Sequence, residues 1–266
     1  MRFKELLDSR ENPDSGTPII AFLGDSVTHG AFESTNGGSG CVFDFAAAYH
    51  NRLRLMIAQK YDWIPVSIIN AGVSGDSAVG GLQRLERDVI SHRPDLCVVC
   101  YGLNDVNGEL ETYTDALRQI FTRLKDAEIE VLFMTPNMLN TRVADCVIDE
   151  FTVYAEITAG MQNGGKMDAF MQAARDVAFS CGVVVADGYA MWKQMQENGM
   201  DITELLANGI NHPCREMHGM FAELLYETIF GVMSTMPEPE SQPEPTPQEG
   251  DEIKPLEFEQ EQPSQE

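Results

Sequence analysis

The chain is poor in positive charge. Of 266 residues only 18 are Lys or Arg, against 42 Asp and Glu, giving a formal net charge of −24. A surface of that sign cannot neutralise a run of phosphates, which excludes a general nucleic-acid binder. Anionic lipid headgroups repel it as well. Long apolar runs are also missing: none approaches the roughly 20 residues that cross a bilayer, so membrane insertion is excluded. The first residues, MRFKELLDSRENPDSG, are broken by charges and lack the apolar stretch of an export signal. With six scattered cysteines, the expectation is reduced thiols in a cytoplasmic protein. Cys97 and Cys100 have metal-site spacing, but they sit in the apolar run LCVVCY with no second pair, which reads as the core of a strand. Neither G-x-x-x-x-G-K-[ST] nor a G-x-G-x-x-G directly after a strand occurs, so a nucleotide-phosphate cradle is disfavoured. G-x-S-x-G is absent too.

What is present divides in two. Residues 237–266 hold seven prolines, ten acidic residues and one lysine, with almost nothing to bury. Such a segment cannot offset its ordering entropy and is expected to be a disordered acidic tail. It carries −9 of the charge, so residues 1–236 remain acidic at −15. That stretch, in a chain with 43% hydrophobic residues, suits one domain. Apolar β-type runs at Ile19–Leu23, Val66–Asn70, Leu96–Tyr101, Glu130–Met134 and Val183–Ala186 alternate with segments of helical spacing. The first of these runs from Phe43 to Ile57 and the last from Met217 to Val232. Strand and helix in alternation, with continuously apolar strands, predict an α/β fold with a parallel sheet covered on both faces. Ligands of such sheets bind beyond the carboxyl ends of the strands. The long connection 136–165 is expected to form a lid or side wall.

The segments after the strands hold the polar chemistry. They read Gly24-Asp25-Ser26-Val27-Thr28-His29-Gly30, then Asn70-Ala71-Gly72-Val73-Ser74-Gly75-Asp76, then Gly102-Leu103-Asn104-Asp105; a late segment reads Asn208-Gly209-Ile210-Asn211-His212-Pro213. Ser26, at a strand-to-helix junction, fits a nucleophile if a base removes its proton, though taken alone the short Gly-Asp-Ser block reads more readily as an ordinary helix cap. Gly75 and Asn104 fit amide donors to an oxyanion, or plain turn chemistry. Among the histidines, His50 and His218 fall on apolar helix faces and His92 ends a helix. His29 is too close along the chain to reach Ser26 from the required side. His212 comes from a distant loop and is the candidate base. Asp25, Asp76 and Asp105 adjoin these residues and are expected to fix the loops by accepting from backbone amides.

Together, in this order, the four blocks closely resemble the SGNH (GDSL) hydrolase family, over nearly all of residues 17–233. The resemblance implies a flavodoxin-like three-layer sandwich with about five parallel strands. It implies a serine esterase acting through an acyl-enzyme, with Ser26 as nucleophile, His212 as base and an oxyanion hole made by the Ser26 amide, Gly75 and Asn104. It implies no cofactor and no metal, and a small-molecule ester as substrate, acetylated carbohydrate among the options. One position departs from the family pattern. Three residues before the histidine, where an aspartate usually orients the ring, stands Gly209. Asn208 is then the candidate third catalytic residue, with a backbone carbonyl, Asp201 or Glu204 as substitutes. That departure keeps a second reading open, a non-catalytic small-molecule or carbohydrate-binding protein on the same fold.

Overall fold

Five apolar segments form one parallel sheet in the computed structural model, which describes residues 1–10, 16–35 and 40–231. The expected tail at 237–266 lies outside the described residues. In chain order the elements are α1 (Arg2–Asp8), β1 (Ile19–Gly24), α2 (Ser26–His29), β2 (Ala31–Ser34), β3 (Cys41–Phe43), α3 (Tyr49–Lys60), β4 (Ser67–Gly72) and α4 (Ala78–Asp88). There follow β5 (Leu96–Cys100), α5 (Leu110–Asp126), β6 (Glu130–Thr135), α6 (Thr152–Asn163), α7 (Lys166–Ser180), β7 (Val184–Asp187), α8 (Gly188–Glu197) and α9 (Arg215–Phe230).

The sheet order is β4-β1-β5-β6-β7, every neighbouring pair parallel. This is the flavodoxin-like order, in which the chain switches sides next to its first strand. The central strands β1, β5 and β6 are buried almost throughout because helices cover both faces, while the edge strands β4 and β7 keep exposed residues. On one side α3 packs on α9; on the other, α4, α5 and α7 pack in series. Cys97 and Cys100 are free thiols buried in β5, in keeping with a core role.

One expectation needs correction. The three- and four-residue spacing that begins at Phe43 is not helical at its start. Cys41–Phe43 is a strand paired antiparallel with β2, and α3 begins only at Tyr49. Asp44 explains the break: its carboxylate accepts from the Ala47 amide at 3.0 Å, and its own N–H donates to the Gly30 carbonyl at 2.9 Å. A short edge hairpin followed by a side-chain-capped turn mimics helical spacing over so few residues. The segment 136–165, expected as a lid or side wall, is a packed side wall containing α6. It is tied to the histidine loop by the Asn140 amide on the Ile210 carbonyl (2.9 Å) and by Asn137 Nδ2 on the Asn211 carbonyl (2.9 Å).

Candidate active site

Ser26 opens α2 directly beyond β1, at the sheet's carboxyl edge. Asp25 caps that short helix, its Oδ1 accepting from the Val27 amide at 3.0 Å. Burial pushes the Asp25 carboxyl up to about 7, with the nearby charges of Asp105 and Asp76 adding to the rise and the Val27 amide opposing it. Its other oxygen is buried without a partner among the described residues. Asp105 behaves alike: Oδ1 accepts from the Ala78 amide at 2.9 Å, Oδ2 has no partner among the described residues, and burial raises the group to about 6. The helix α2 lies almost on β4. A Cβ at Gly72 would stand 2.2 Å from the His29 nitrogen, so only glycine fits there.

Arg84, from α4, is a residue that the sequence reading passed over. Its guanidinium donates to the carbonyls of Gly24 (3.0 Å) and Ala71 (2.6 Å), to Asp76 (2.7 Å) and Asp88 (3.2 Å), and to the Tyr101 hydroxyl (2.8 Å). One cation therefore ties together the ends of β1 and β4 and the loop that follows β4. Its helix also carries Gln83, Glu86, Arg87 and Asp88, so nothing in the local sequence singles this arginine out.

The loop after β4 places Gly75 with φ of +77°, a left-handed conformation that favours glycine. Its N–H donates to no protein acceptor among the described residues. Asn104, in the loop after β5, gives one Nδ2 hydrogen to the Asp76 carbonyl at 2.8 Å, leaving the second for a ligand. His29 supports this wall from outside: its Nδ1 accepts from the Ser74 amide at 3.3 Å. Ser26, Gly75, Asn104 and His212 all line one cleft of about 290 Å³, whose far wall carries Phe151 and Tyr154. A larger cavity of about 730 Å³ lies where β5 and β6 begin, lined by Arg2, Arg93, Asp95 and Glu128. It holds no nucleophile beside a base, so the chemistry belongs to the smaller cleft.

His212 meets Ser26 across 186 residues, Nε2 to Oγ at 2.9 Å, both side chains almost fully buried. The ring's other nitrogen, Nδ1, lies 2.8 Å from the Phe32 carbonyl oxygen. A carbonyl can only accept, so Nδ1 carries the hydrogen and Nε2 presents its lone pair to the serine hydroxyl. Burial lowers the imidazole below its usual range, against the Phe32 carbonyl and the Glu33 carboxylate, which raise it.

Asn208 does not touch the ring. Its Oδ1 accepts from the amides of Ile210 (3.0 Å), Asn211 (2.9 Å) and His212 (2.9 Å), and its Nδ2 donates to Asn211 Oδ1 (3.0 Å). It shapes the turn that carries the histidine; the expectation of Asn208 as the ring's partner is corrected to the Phe32 main chain. Asp201 and Glu204 both pair with Arg142. His50 and His218 are buried in the core, driven down to about 4 and about 3 mainly by burial. Among the described residues no group of three His, Cys, Asp or Glu is placed to hold a metal ion, and no helix is long and apolar enough to cross a membrane.

Comparisons with known proteins bear on this arrangement. A model of the GDSL-like Lipase/Acylhydrolase family matches residues 22–219. An acetylxylan esterase of Geobacillus stearothermophilus is 25% identical over 134 residues, covering 46% of this chain and 60% of that protein. An arylesterase of Vibrio mimicus is 31% identical over 96 residues, covering 34% of this chain and 48% of that protein. The chain thus spans less than two thirds of either curated relative. Among solved structures, Axe2, an acetylxylan esterase from Geobacillus stearothermophilus, superposes with a TM-score of 0.61 at 21% identity, covering 81% of this chain and 95% of that one. LAE5, an alpha/beta hydrolase enzyme from the metagenome of Lake Arreo, gives 0.63 at 19% identity, covering 83% and 97%. At such identities these likenesses speak for the fold.

Proposed function

Because the chain belongs to the GDSL-like lipase and acylhydrolase family, we propose that it is a serine esterase that hydrolyses short-chain acyl esters. The observation that carries this reading is the 2.9 Å contact between Ser26 Oγ and His212 Nε2, with the ring tautomer fixed for base catalysis. Ser26 Oγ attacks the ester carbonyl carbon as His212 Nε2 takes the hydroxyl proton. The carbonyl oxygen becomes an oxyanion, received by the amides of Ser26 and Gly75 and by the second Nδ2 hydrogen of Asn104. The tetrahedral species collapses, the C–O bond to the leaving group breaks, and His212 returns its proton to the departing alkoxide. A water molecule, deprotonated by the same nitrogen, then attacks the acyl-enzyme. The second collapse releases the acid and restores the Ser26 hydroxyl.

The missing aspartate is compatible with this chemistry. Much of the damage when a triad acid is replaced by an amide comes from the wrong tautomer. Here the Phe32 carbonyl enforces the correct one while supplying no full charge. A cleft of about 290 Å³ sits at the small end of ligand sites, which favours an acetyl or similarly short acyl group. The net negative charge favours a neutral substrate. Acetylated carbohydrate satisfies both, and the acetylxylan esterase relative points the same way.

The test pairs a fluorophosphonate probe with turnover. Intact mass is expected to rise by one probe adduct in the unsubstituted protein and not in Ser26→Ala. p-Nitrophenyl acetate and acetylated xylo-oligosaccharides are expected to be cleaved faster than long-chain esters. A protein that binds acetylated sugars yet takes no label and releases no acetate would support the non-catalytic reading instead.

A further inference from the structure

We propose that Arg215 is a positioning residue for the catalytic base: it holds the Phe32 carbonyl against the imidazole of His212 and so does the work usually done by the absent aspartate. This rests on the esterase reading above.

The acceptor on Nδ1 is a main-chain atom of β2, and the β2–β3 ladder does not hold it well. The two strands pair at Ala31 with Phe43 and at Ser34 with Cys41, and the register shifts between those points. Phe32 and Glu33 lie in the irregular stretch. A two-stranded ribbon of this length is marginal without outside support.

Arg215 supplies that support from three directions. Its Nη1 and Nη2 bind the two oxygens of Glu33, at 2.5 and 3.3 Å. Its Nε donates to Asp44 at 2.9 Å, beyond the other strand of the ribbon. Its guanidinium lies over the Phe32 ring, 4.4 Å from the centroid. A bidentate fork, a second carboxylate and a stacked ring together fix a direction in a way that a lone surface ion pair does not. The origin of the clamp matters as much. Arg215 begins α9, three residues after His212. The base and the clamp that fixes its acceptor thus issue from one short stretch of backbone, and the Nδ1 to carbonyl distance is set between parts that move together. The Glu33 carboxylate held by this clamp also favours the protonated imidazole.

The experiment measures rate per active site. Arg215→Met, Arg215→Lys and Glu33→Gln are compared with the unsubstituted protein by active-site titration with the fluorophosphonate, by steady-state kinetics on p-nitrophenyl acetate, and by the proton resonance of the His212 Nδ1–H. A residue that merely aids folding would lower the titratable fraction and leave the rate per titrated site unchanged. A positioning residue lowers that rate. For Arg215→Met, kcat per titrated site is expected to fall about ten- to a hundredfold, with KM within about twofold, and labelling to slow in step. Arg215→Lys recovers part of the loss, since one ammonium cannot grip both oxygens of Glu33. The Nδ1–H resonance shifts upfield or broadens in Arg215→Met. If that variant fails to fold, Glu33→Gln carries the test, with a smaller loss of the same kind. Labelled, folded variants with kcat per site within about twofold of the unsubstituted protein would overturn the positioning role alone. An unsubstituted protein that takes no label would overturn the esterase reading and this proposal with it.

Discussion

The two halves of the catalytic pair are held by different means. On the serine side, side chains do the holding, and two of them, Asp25 and Asp76, sit beside the groups they fix. Asp25 caps the helix that Ser26 begins, and Asp105 and Asp76 pin the neighbouring loops. Arg84 then bolts the strand ends together from beneath. On the histidine side, a main-chain oxygen of a distant hairpin orients the ring, and Asn208 serves the backbone of its own turn. The contrast teaches that one reaction centre can be built half from a compact motif and half from long-range packing. The two halves should respond differently to substitution.

The largest effect is expected at the nucleophile. Ser26→Ala should lower kcat by about four orders of magnitude or more in ester hydrolysis assays, with the protein still folded. Asn104→Ala should cost about a hundred- to a thousandfold in kcat, read from the same assay, through loss of an oxyanion donor. A next test of the serine side is stability. The Asp25 carboxyl is raised from 3.8 to about 7 by burial, so its stabilising contribution is complete below pH 3.8, is lost as pH rises through 7, and is a full cost above that. Asp25→Asn keeps the cap and removes the charge. Urea unfolding at pH 8 should show the variant more stable by up to about 4 kcal/mol, with the difference vanishing near pH 3. The base sets the acid limb of the rate profile. Burial lowers the His212 imidazole, so kcat/KM should hold to pH values below 6.5 and then fall about tenfold per unit. The smallest change is predicted at the residue nearest the usual aspartate. Asn208→Asp should alter kcat by less than about threefold, because that side chain faces three backbone amides. A large gain would mean that the ring can turn to it, and the contrast between the two sides would fail.

The sequence was most legible where function uses neighbours along the chain. Strand positions came out within a residue or two, because buried parallel strands are continuous apolar runs. Ser26, Gly75, Asn104 and His212 each follow a strand or a turn that could be placed, and the structure brings them to one cleft. What stayed hidden has a common cause. The hairpin carrying Phe32 is short and was masked by apparent helical spacing at Phe43. A carbonyl oxygen has no letter of its own in a sequence, so nothing at position 32 announces its role. Arg84 and Arg215 reach their partners across long separations, and spacing alone does not encode such contacts.

An acceptor made of main chain has a genetic consequence. No codon change at position 32 deletes that oxygen, whereas a carboxylate in the same role disappears with one nucleotide. Deep mutational scanning of this gene should therefore find that exchanges at Phe32 and Glu33 act through packing and the Arg215 clamp rather than through loss of the acceptor, while single-residue insertions and deletions in 31–34 are the most damaging, since shifting the strand by one place turns the oxygen away.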